Sequence, residues 1–291
     1  MGIQEITAPE LKERLEAALQ ARKAVYLPGS AQALRLFNGF TEGYPDLVVE
    51  LFGKSLLIFD HSRTPQAQDP LVQGVMEFYL QNVPGIEAVI IKRRYSSILV
   101  ERKGMLVYGR KADTRIHEHG ISYAIDLMMN QDASLYLDTE NARLWATEHL
   151  QGKRVLNTFA YTGSLGVAAK AAGASQVYQL DLNQRFLKLA RRSYELNGFD
   201  HAPAEFLAGN FFTWISRLKR SGELFDCVFL DPPYFSITSQ GKVDQANEAH
   251  RLINKVRPLI RENGWLVAIN NSLFTSGVDY LQILNNLCAD G

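Results

Sequence analysis

The second half of the chain alternates short apolar segments with longer amphipathic ones. The apolar segments are RVLNTF, SQVYQLD, AEFLAG, FDCVFLD and WLVAINN, and such near-continuous runs are typical of strands buried on both faces. Helical stretches such as NQRFLKLARRSYELNG and VDQANEAHRLINKVRPLI lie between them. This alternation predicts an α/β fold, with a doubly wound parallel sheet and right-handed crossovers.

The first half mixes strands and helices without that regularity. A helix is predicted to begin at Thr7, which can cap it, and leucines recur at four-residue spacing along the following turns. DLVVELFG and KSLLIFD predict two strands joined by a Gly-Lys turn, DPLVQGVMEFYLQN predicts a helix, and EAVIIKR, SSILVER and MLVYGR predict further strands. The chain is therefore expected to contain an N-terminal helix (residues 1–27), a small mixed α/β domain (28–115) and the parallel-sheet domain (116–291).

The composition is that of an ordinary globular protein. Hydrophobic residues make up 46% of the 291 residues and charged residues 21%, and the net charge is zero. No apolar run approaches the roughly 20 residues of a membrane helix, and the N-terminus lacks the apolar core of a signal peptide. Cys227 and Cys288 are too few for a disulfide framework, and His117 and His119 have no third metal ligand beside them. We expect a cytoplasmic enzyme with no membrane partner and no metal; the sequence specifies no oligomeric state.

Charge is distributed unevenly along the chain. Residues 92–117 hold eight Lys or Arg against two acids, an excess of six positive charges, whereas residues 1–91 hold seven bases and eleven acids. A local positive field favours contact with phosphates, so Arg93 and Arg94 are candidate RNA-binding residues of the small domain. A solvated face of a small sheet is the alternative interpretation.

Ligands of a doubly wound sheet bind beyond the carboxyl ends of its strands. The first strand runs into NTFAYTGSLG, which lacks the GxGxxG of a pyrophosphate-binding loop but permits close backbone approach at Gly163. With Asn157, Phe159, Tyr161 and Thr162, this loop suits a cofactor without a pyrophosphate. Tight packing of helix against strand explains the glycine equally well.

Three further strand ends carry candidate side chains. Asp181 ends the second strand, eighteen residues past the loop glycine, where an acid can accept hydrogen bonds from ribose hydroxyls. Asn210 and Phe211 follow the third strand and suit the edge and face of an adenine, and Asn270 and Asn271 follow the fifth strand, where side-chain amides suit a base pocket. Helix caps and turns are the alternative roles for Asp181 and the asparagines.

The fourth strand ends in the segment DPPYF. Asp231 is followed by Pro232 and Pro233, which have no backbone donor, and then by Tyr234 and Phe235. Acceptors beside a stacking ring match the exocyclic amine of a flat base, which would donate to Asp231 and to a proline carbonyl. We therefore predict Asp231 and Tyr234 as the catalytic pair and the rest of the segment as substrate-binding.

With these residues, the chain resembles class I S-adenosylmethionine-dependent methyltransferases, and more narrowly the bacterial large-subunit ribosomal RNA base methyltransferases of the RlmI and RlmK group. The resemblance spans about residues 45–285 and is carried by LYLDTENARLW, VLNTFAYTGSLGVAAKAAGASQVYQLD, LNG and DPPYF. It implies a Rossmann-like class I methyltransferase sheet, S-adenosylmethionine as cofactor and ribosomal RNA as partner. From the residues and the resemblance together, the predicted cofactor contacts are Tyr136, Asp138, Asn157, Phe159, Tyr161, Thr162, Gly163, Asp181, Leu182, Asn210, Phe211 and Asp231.

The chain departs from the pattern of this group at several positions. A helix stands where many relatives begin with a PUA domain. Glu140 replaces a usual Arg although Arg143 is kept, and Asn210 replaces an expected acid. A class I sheet normally finishes with two more strands beyond the point reached at Gly291, so its C-terminal edge is expected to be incomplete.

The predicted acceptor of the methyl group is a nitrogen atom. Methylation of a pyrimidine carbon needs a cysteine nucleophile, and relatives with that chemistry carry one near the end of the fifth strand, where this chain has Asn-Asn-Ser. A small-molecule methyltransferase and a non-catalytic RNA-binding protein of the same fold are the alternatives. The missing GxGxxG opposes a nicotinamide-dependent oxidoreductase.

Overall fold

A computed structural model describes residues 8–25, 31–65, 69–239, 241–271 and 275–289. The chain forms two compact units, Met1–Asp138 and Thr139–Gly291. This division falls later than the boundary expected at residue 115, because the segment after that point bonds to the first unit. The His117 amide donates to the Ala31 carbonyl at 2.7 Å, and Lys92 Nζ donates to the carbonyl of Asp132 at 2.8 Å.

The first unit is built on a mixed sheet with strand order β1-β2-β3-β4-β5, in which only the β3–β4 pair is parallel. Helix α1 packs its apolar face on the core of this sheet, so it belongs to the unit and is not a separate domain; Thr7, its expected cap, lies outside the described residues. Strands β6 and β7 form a separate antiparallel hairpin. In chain order the elements are α1 (Ala8–Arg22), β1 (Ala33–Asn38), β2 (Leu47–Phe52), β3 (Ser55–Asp60), α2 (Asp69–Asn82), β4 (Ala88–Arg93), α3 (Leu99–Lys103), β5 (Met105–Tyr108), β6 (Arg115–Glu118) and β7 (Ile121–Ala124).

One predicted strand of this unit is wrong. The segment SSILVER forms a bend followed by the short helix α3. The Ser96 hydroxyl accepts from the Ile98 amide at 3.0 Å and donates to Glu101 Oε2 at 2.6 Å. Such local bonds between side chain and backbone offer the chain an alternative to pairing in a sheet, and here they close a turn.

The second unit is a parallel sheet with helices between its strands. Within the described residues the strand order is β10-β9-β8-β11-β14, which is the 3-2-1-4-5 order of the doubly wound fold, and the Rossmann-like fold class is confirmed. Its elements are α4 (Glu140–His149), β8 (Arg154–Thr158), α5 (Ser164–Ala171), β9 (Gln176–Asp181), α6 (Gln184–Asn197), β10 (Phe206–Ala208), α7 (Phe211–Arg220), β11 (Phe225–Leu230), β12 (Phe235–Thr238), β13 (Gly241–Asp244), α8 (Gln245–Val256), β14 (Ile260–Ala268) and α9 (Gly277–Ala289).

The register brings the carboxyl ends of the five strands of the parallel sheet to one edge. Thr158 at the end of β8 lies between Leu180 of β9 and Leu230 of β11, while Ala208 pairs with Asp181 and Ala268 with Leu230. The strand order reverses between β8 and β11, so the loops that follow these two strands meet at the topological switch point, where ligands of such sheets bind.

The hairpin of β12 and β13 was not predicted. It follows DPPY directly and takes up Val243 and Asp244, which were expected to begin the next helix. Asp244 instead caps α8, accepting from the Asn247 amide at 3.2 Å.

The described residues contain neither a candidate membrane span nor a candidate metal cluster. None of the helices there is both long enough and apolar enough to cross a membrane, and no group of three His, Cys, Asp or Glu side chains in that part of the chain could hold a metal ion.

Candidate active site

The loop after β8 has an unusual backbone. Phe159, Tyr161 and Gly163 all have left-handed φ angles, of 54°, 51° and 79°. For the two aromatic residues this conformation costs on the order of 1–3 kcal/mol each, so it persists only where neighbours impose it. The Tyr161 amide donates to Asp181 Oδ2 at 2.8 Å and the Ala160 amide donates to the Leu180 carbonyl at 2.8 Å, which ties the loop to the end of β9.

Asp181 stands at the centre of this arrangement. Its Oδ1 accepts from the Asn183 amide at 2.7 Å, so each carboxylate oxygen has one backbone donor and keeps a free lone-pair direction. Burial raises the pKa of Asp181 to about 6, although the two backbone hydrogen bonds act to lower it. The helix cap is a different residue, since Asn183 accepts from the Arg185 amide at 3.0 Å. Leu182 beside it is 63% exposed, an apolar side chain at the open edge.

Asn157 lies inside the sheet. It is 1% exposed, and its Nδ2 donates to Gln179 Oε1 at 2.8 Å. Gln179 Nε2 in turn donates to the Gly163 carbonyl at 3.1 Å. The Asn157 side chain therefore lies in the interior, where its Oδ1 has no hydrogen-bond partner in the described part of the chain, and its assignment to the cofactor stays a prediction. Gln179 is not among the residues predicted from the sequence; its signal there is a polar residue between the apolar Tyr178 and Leu180.

The glycines of the loop serve packing. A Cβ on Gly163 would lie 2.5 Å from the Cβ of Ala190, and one on Gly166 would lie 2.1 Å from Gln179 Nε2. No side chain fits at either position, so α5 can lie this close to β9 only with glycine there. Of the two interpretations offered by the sequence, tight packing of helix against strand is the one that the structure displays.

Asn210 and Phe211 are engaged within the protein. Asn210 Oδ1 accepts from the Phe212 amide at 2.9 Å and caps α7, and its Nδ2 donates to Thr238 Oγ1 at 2.8 Å. Phe211 is 5% exposed and stacks on Phe159, with ring centroids 4.6 Å apart. The cap interpretation of Asn210 is therefore correct, and the half-buried Phe159 is the ring of this stack that lies nearer the open edge.

The segment after β11 presents two acceptors that hold one amino group. Asn271 Nδ2 donates to Asp231 Oδ1 at 2.6 Å and to the Pro232 carbonyl at 3.0 Å. Tyr234 and Phe235 beside them are 40% and 51% exposed, as rings that stack on a ligand must be. The two acceptors predicted for a base amine thus lie within reach of a single nitrogen.

Gln245 joins the two loops that form this arrangement. Its side-chain Oε1 accepts from the backbone amide of Asn271 at 2.9 Å, and its backbone amide donates to the Tyr234 carbonyl at 3.0 Å. Nothing in the sequence pattern distinguishes Gln245, which is 2% exposed. Asn270, by contrast, is a turn residue, since its Nδ2 donates to the Thr275 carbonyl at 2.9 Å.

The two predicted RNA-binding residues of the first unit lie in different surroundings. Arg93 forms ion pairs with Asp69 and Glu101, and its side chain is 14% exposed. Its side chain is thus engaged within the first unit, and its assignment to RNA stays a prediction. Arg94 is 44% exposed with Asp132 at 3.4 Å, so it remains a candidate. The positive charge of residues 92–117 thus lies partly inside the unit. Lys92 is buried, and this burial lowers its pKa to about 8.

Tyr136 and Asp138 end the first unit. The Tyr136 hydroxyl donates to Asp132 Oδ2 at 3.1 Å while the ring is 44% exposed, and Asp138 lies in the short 3-10 turn Leu137–Thr139. Their assignment to the cofactor stays a prediction.

The cysteines offer no described nucleophile. Cys227 is fully buried in β11, and burial raises the pKa of its thiol to about 12, so it stays protonated and inert at neutral pH. The side chain of Cys288 lies outside the described residues.

Comparison with known proteins identifies the family of this chain. The family model for S-adenosylmethionine-dependent methyltransferases matches residues 89–286. The proteins named ribosomal RNA large subunit methyltransferase I of Shigella boydii and of Escherichia coli O157:H7 are each 31% identical over 274 residues, which cover 90% of this chain and 67% of theirs. The structure of SMU.776 complexed with SAH is 23% identical and superimposes with a TM-score of 0.85. The match covers 97% of this chain and 72% of that one, and it shows that the two proteins share a fold. The chain belongs to the S-adenosylmethionine-dependent methyltransferases.

Proposed function

We propose that this methyltransferase modifies a base nitrogen of ribosomal RNA in the cytoplasm. The relatives at 31% identity are named for the RNA of the large ribosomal subunit, which supports this class of substrate. The position of the methyl acceptor is inferred from the end of β11. Asp231 and Tyr234 would act on the base directly, while Pro232, Pro233 and Phe235 would shape the pocket around it.

The observation that carries this proposal is the hydrogen bonding of Asn271. A side-chain amide and the exocyclic amine of a base both present a planar NH₂ group with two donors. Asp231 Oδ1 and the Pro232 carbonyl already hold such a group, at 2.6 and 3.0 Å. The base amine can take the same two acceptors only after Asn271 releases them, so the two groups compete for one position.

The acceptors would orient the nitrogen without acting as a strong base, and the proton that the nitrogen loses as the N–C bond forms would pass to Asp231 or to water. With both N–H bonds directed at oxygen, the nitrogen is fixed in place with its open face toward the methyl donor. Holding the reacting atoms aligned and about 3–3.5 Å apart accounts for much of the rate enhancement. Tyr234 would hold the ring by stacking. S-adenosylmethionine, when bound, supplies an electrophilic methyl group on a sulfonium.

The residues at the other strand ends fit this cofactor. Asp181 keeps free lone pairs for ribose hydroxyls, Leu182 is an exposed apolar neighbour, and Phe159 and Tyr161 lie in a loop that the end of β9 holds in place. A positively charged sulfonium has no need of the phosphate-binding fingerprint that the loop lacks. We assign Asp181 to the ribose, and keep Tyr136 and Asp138 as predicted contacts.

Substitution of Asp231 tests this assignment. Asp231→Ala removes one of the two acceptors, and incorporation of labelled methyl into ribosomal RNA should fall on the order of 10²-fold. The matched control is Asp200→Ala, because Asp200 is exposed and lies in the connection from α6 to β10, at the opposite edge of the sheet from the carboxyl ends of the strands. Equal activity of the two variants would show that Asp231 does not hold the methyl acceptor.

A further inference from the structure

The first unit has a cavity of about 580 Å³ at one edge of its sheet. The strand ends meet there, since Asn38 of β1 pairs with Val48 of β2 and Asp60 of β3 pairs with Arg93 of β4. The residues just beyond these ends line the cavity. A volume of this size lies in the range of ligand sites, about 300–1,000 Å³.

Two aromatic rings at this cavity are exposed. Phe40, from the connection between β1 and β2, is 83% exposed, and Tyr95, just after β4, is 58% exposed. His61 adds a third ring to the lining and is itself stacked on Phe59, with centroids 6.2 Å apart. Rings from separate segments that converge on one cavity offer faces for a flat ligand.

The charges around the cavity suit a nucleotide. Arg63 lines it and is exposed, and no acidic partner of Arg63 is present in the described part of the chain. Burial and the nearby positive charge of Arg94 lower the pKa of His61, so that its ring is uncharged at neutral pH. Asp46 provides an acceptor in the lining. Rings for the base, one cation for the phosphate and one acceptor for a base edge are thus grouped together.

We propose that this cavity binds an unpaired base of the RNA substrate, with Phe40 and Tyr95 stacking on it and Arg63 contacting its phosphate. The inference rests on the proposed function, because it takes RNA as the substrate. Stacking requires an accessible base face, which single strands and loops offer and a continuous duplex does not. The cavity would hold the RNA at a place other than the methylated base.

The test measures binding of the full chain to a fluorescently labelled single-stranded RNA. We expect Phe40→Ala and Tyr95→Ala each to weaken binding about tenfold, a loss typical of one stacked base, with affinity for S-adenosylmethionine unchanged. Tyr95→Phe should bind as wild type does, since it keeps the ring. The matched control is Tyr108→Ala, because Tyr108 in β5 is 45% exposed and does not line the cavity.

Charge contacts have their own readout. Arg63→Ala should reduce the slope of log affinity against log salt by about 1, as expected for one phosphate contact. Duplex RNA of the same sequence should show no sensitivity to either ring substitution.

The outcomes separate this inference from the proposed function. If wild type binds RNA and both alanine variants bind it equally well, the cavity is not an RNA site. If the losses appear with adenosine monophosphate but not with RNA, the cavity serves a free nucleotide and the inference is wrong. If wild type binds no RNA, the proposed substrate is wrong.

Discussion

Cofactor binding should weaken as the pH falls through 6, because of Asp181. Only the ionised carboxylate offers acceptors on both oxygens, and each oxygen already serves one backbone amide at 2.7 or 2.8 Å. Protonation replaces an acceptor by a donor, so a ribose hydroxyl and a backbone amide then compete for what remains. Since burial raises the pKa of Asp181 to about 6, this change falls in an accessible range.

The size of the effect follows from that pKa. About nine-tenths of the carboxyl groups are ionised one unit above the pKa and about one-tenth one unit below it, so affinity for S-adenosylmethionine should fall about tenfold from pH 7 to pH 5, or about 1.4 kcal/mol. Calorimetric titrations at half-unit intervals would measure it. Asp181→Asn should bind more weakly than wild type at pH 7 and lose this dependence.

The same shift has the opposite sign for stability of the ligand-free protein. The folded-state pKa lies above the ordinary value of 3.8, so the contribution of Asp181 to the free energy of unfolding is present below pH 3.8 and is lost as the pH rises through 6.

In the titrations with S-adenosylmethionine, Asp200→Asn is the control for a general effect of charge. An affinity that does not change with pH in wild type, or that changes equally in Asp181→Asn, would refute the role of Asp181.

Three further predictions concern other parts of the second unit. Asn271→Ala frees the two acceptors, so the KM for RNA should fall about 2–10-fold at constant kcat; a raised KM would contradict competition with the base amine. Gly166→Ala places a Cβ 2.1 Å from the buried Gln179 side chain and should lower the free energy of unfolding in urea by about 1–3 kcal/mol. The control is Gly74→Ala in α2 of the first unit, where a Cβ would have nothing within 4 Å and should raise the free energy of unfolding by about 0.5–1 kcal/mol. Cys227→Ser should leave methyl transfer per folded molecule unchanged, and its loss would point to a cysteine nucleophile.

Elements buried on a regular pattern could be predicted from the sequence. Helix α2 has the predicted bounds, and the five apolar runs of the second half all form strands of one parallel sheet. The hairpin after DPPY was not predicted because the apolar residues of β12 are its exposed ones: Phe235 is 51% and Ile237 70% exposed. The strand predicted for SSILVER is wrong because Ile98, Leu99 and Val100 have the apolar pattern of a buried strand but are exposed in the structure.

The site was predictable in position but not in its partners. Parallel strands bring their ends together whatever the loops contain, so Asp181 and Asp231 could be placed at one edge from chain order alone. The partners depend on contacts between distant segments. Asn271 reaches Asp231 across 40 residues, and Arg93 is paired with Asp69 across 24, and no local pattern encodes either contact.

Methyl transfer to a base nitrogen of ribosomal RNA is the activity that we propose for this protein. The most direct test incubates the protein with ribosomal RNA and S-adenosylmethionine carrying a deuterated methyl group, digests the RNA to nucleosides and identifies the labelled product by mass spectrometry. We predict a nucleoside with the label on nitrogen, formed by wild type and lost in Asp231→Ala. A label found only on a pyrimidine carbon, or no labelled nucleoside from a protein that binds the cofactor, would contradict the account.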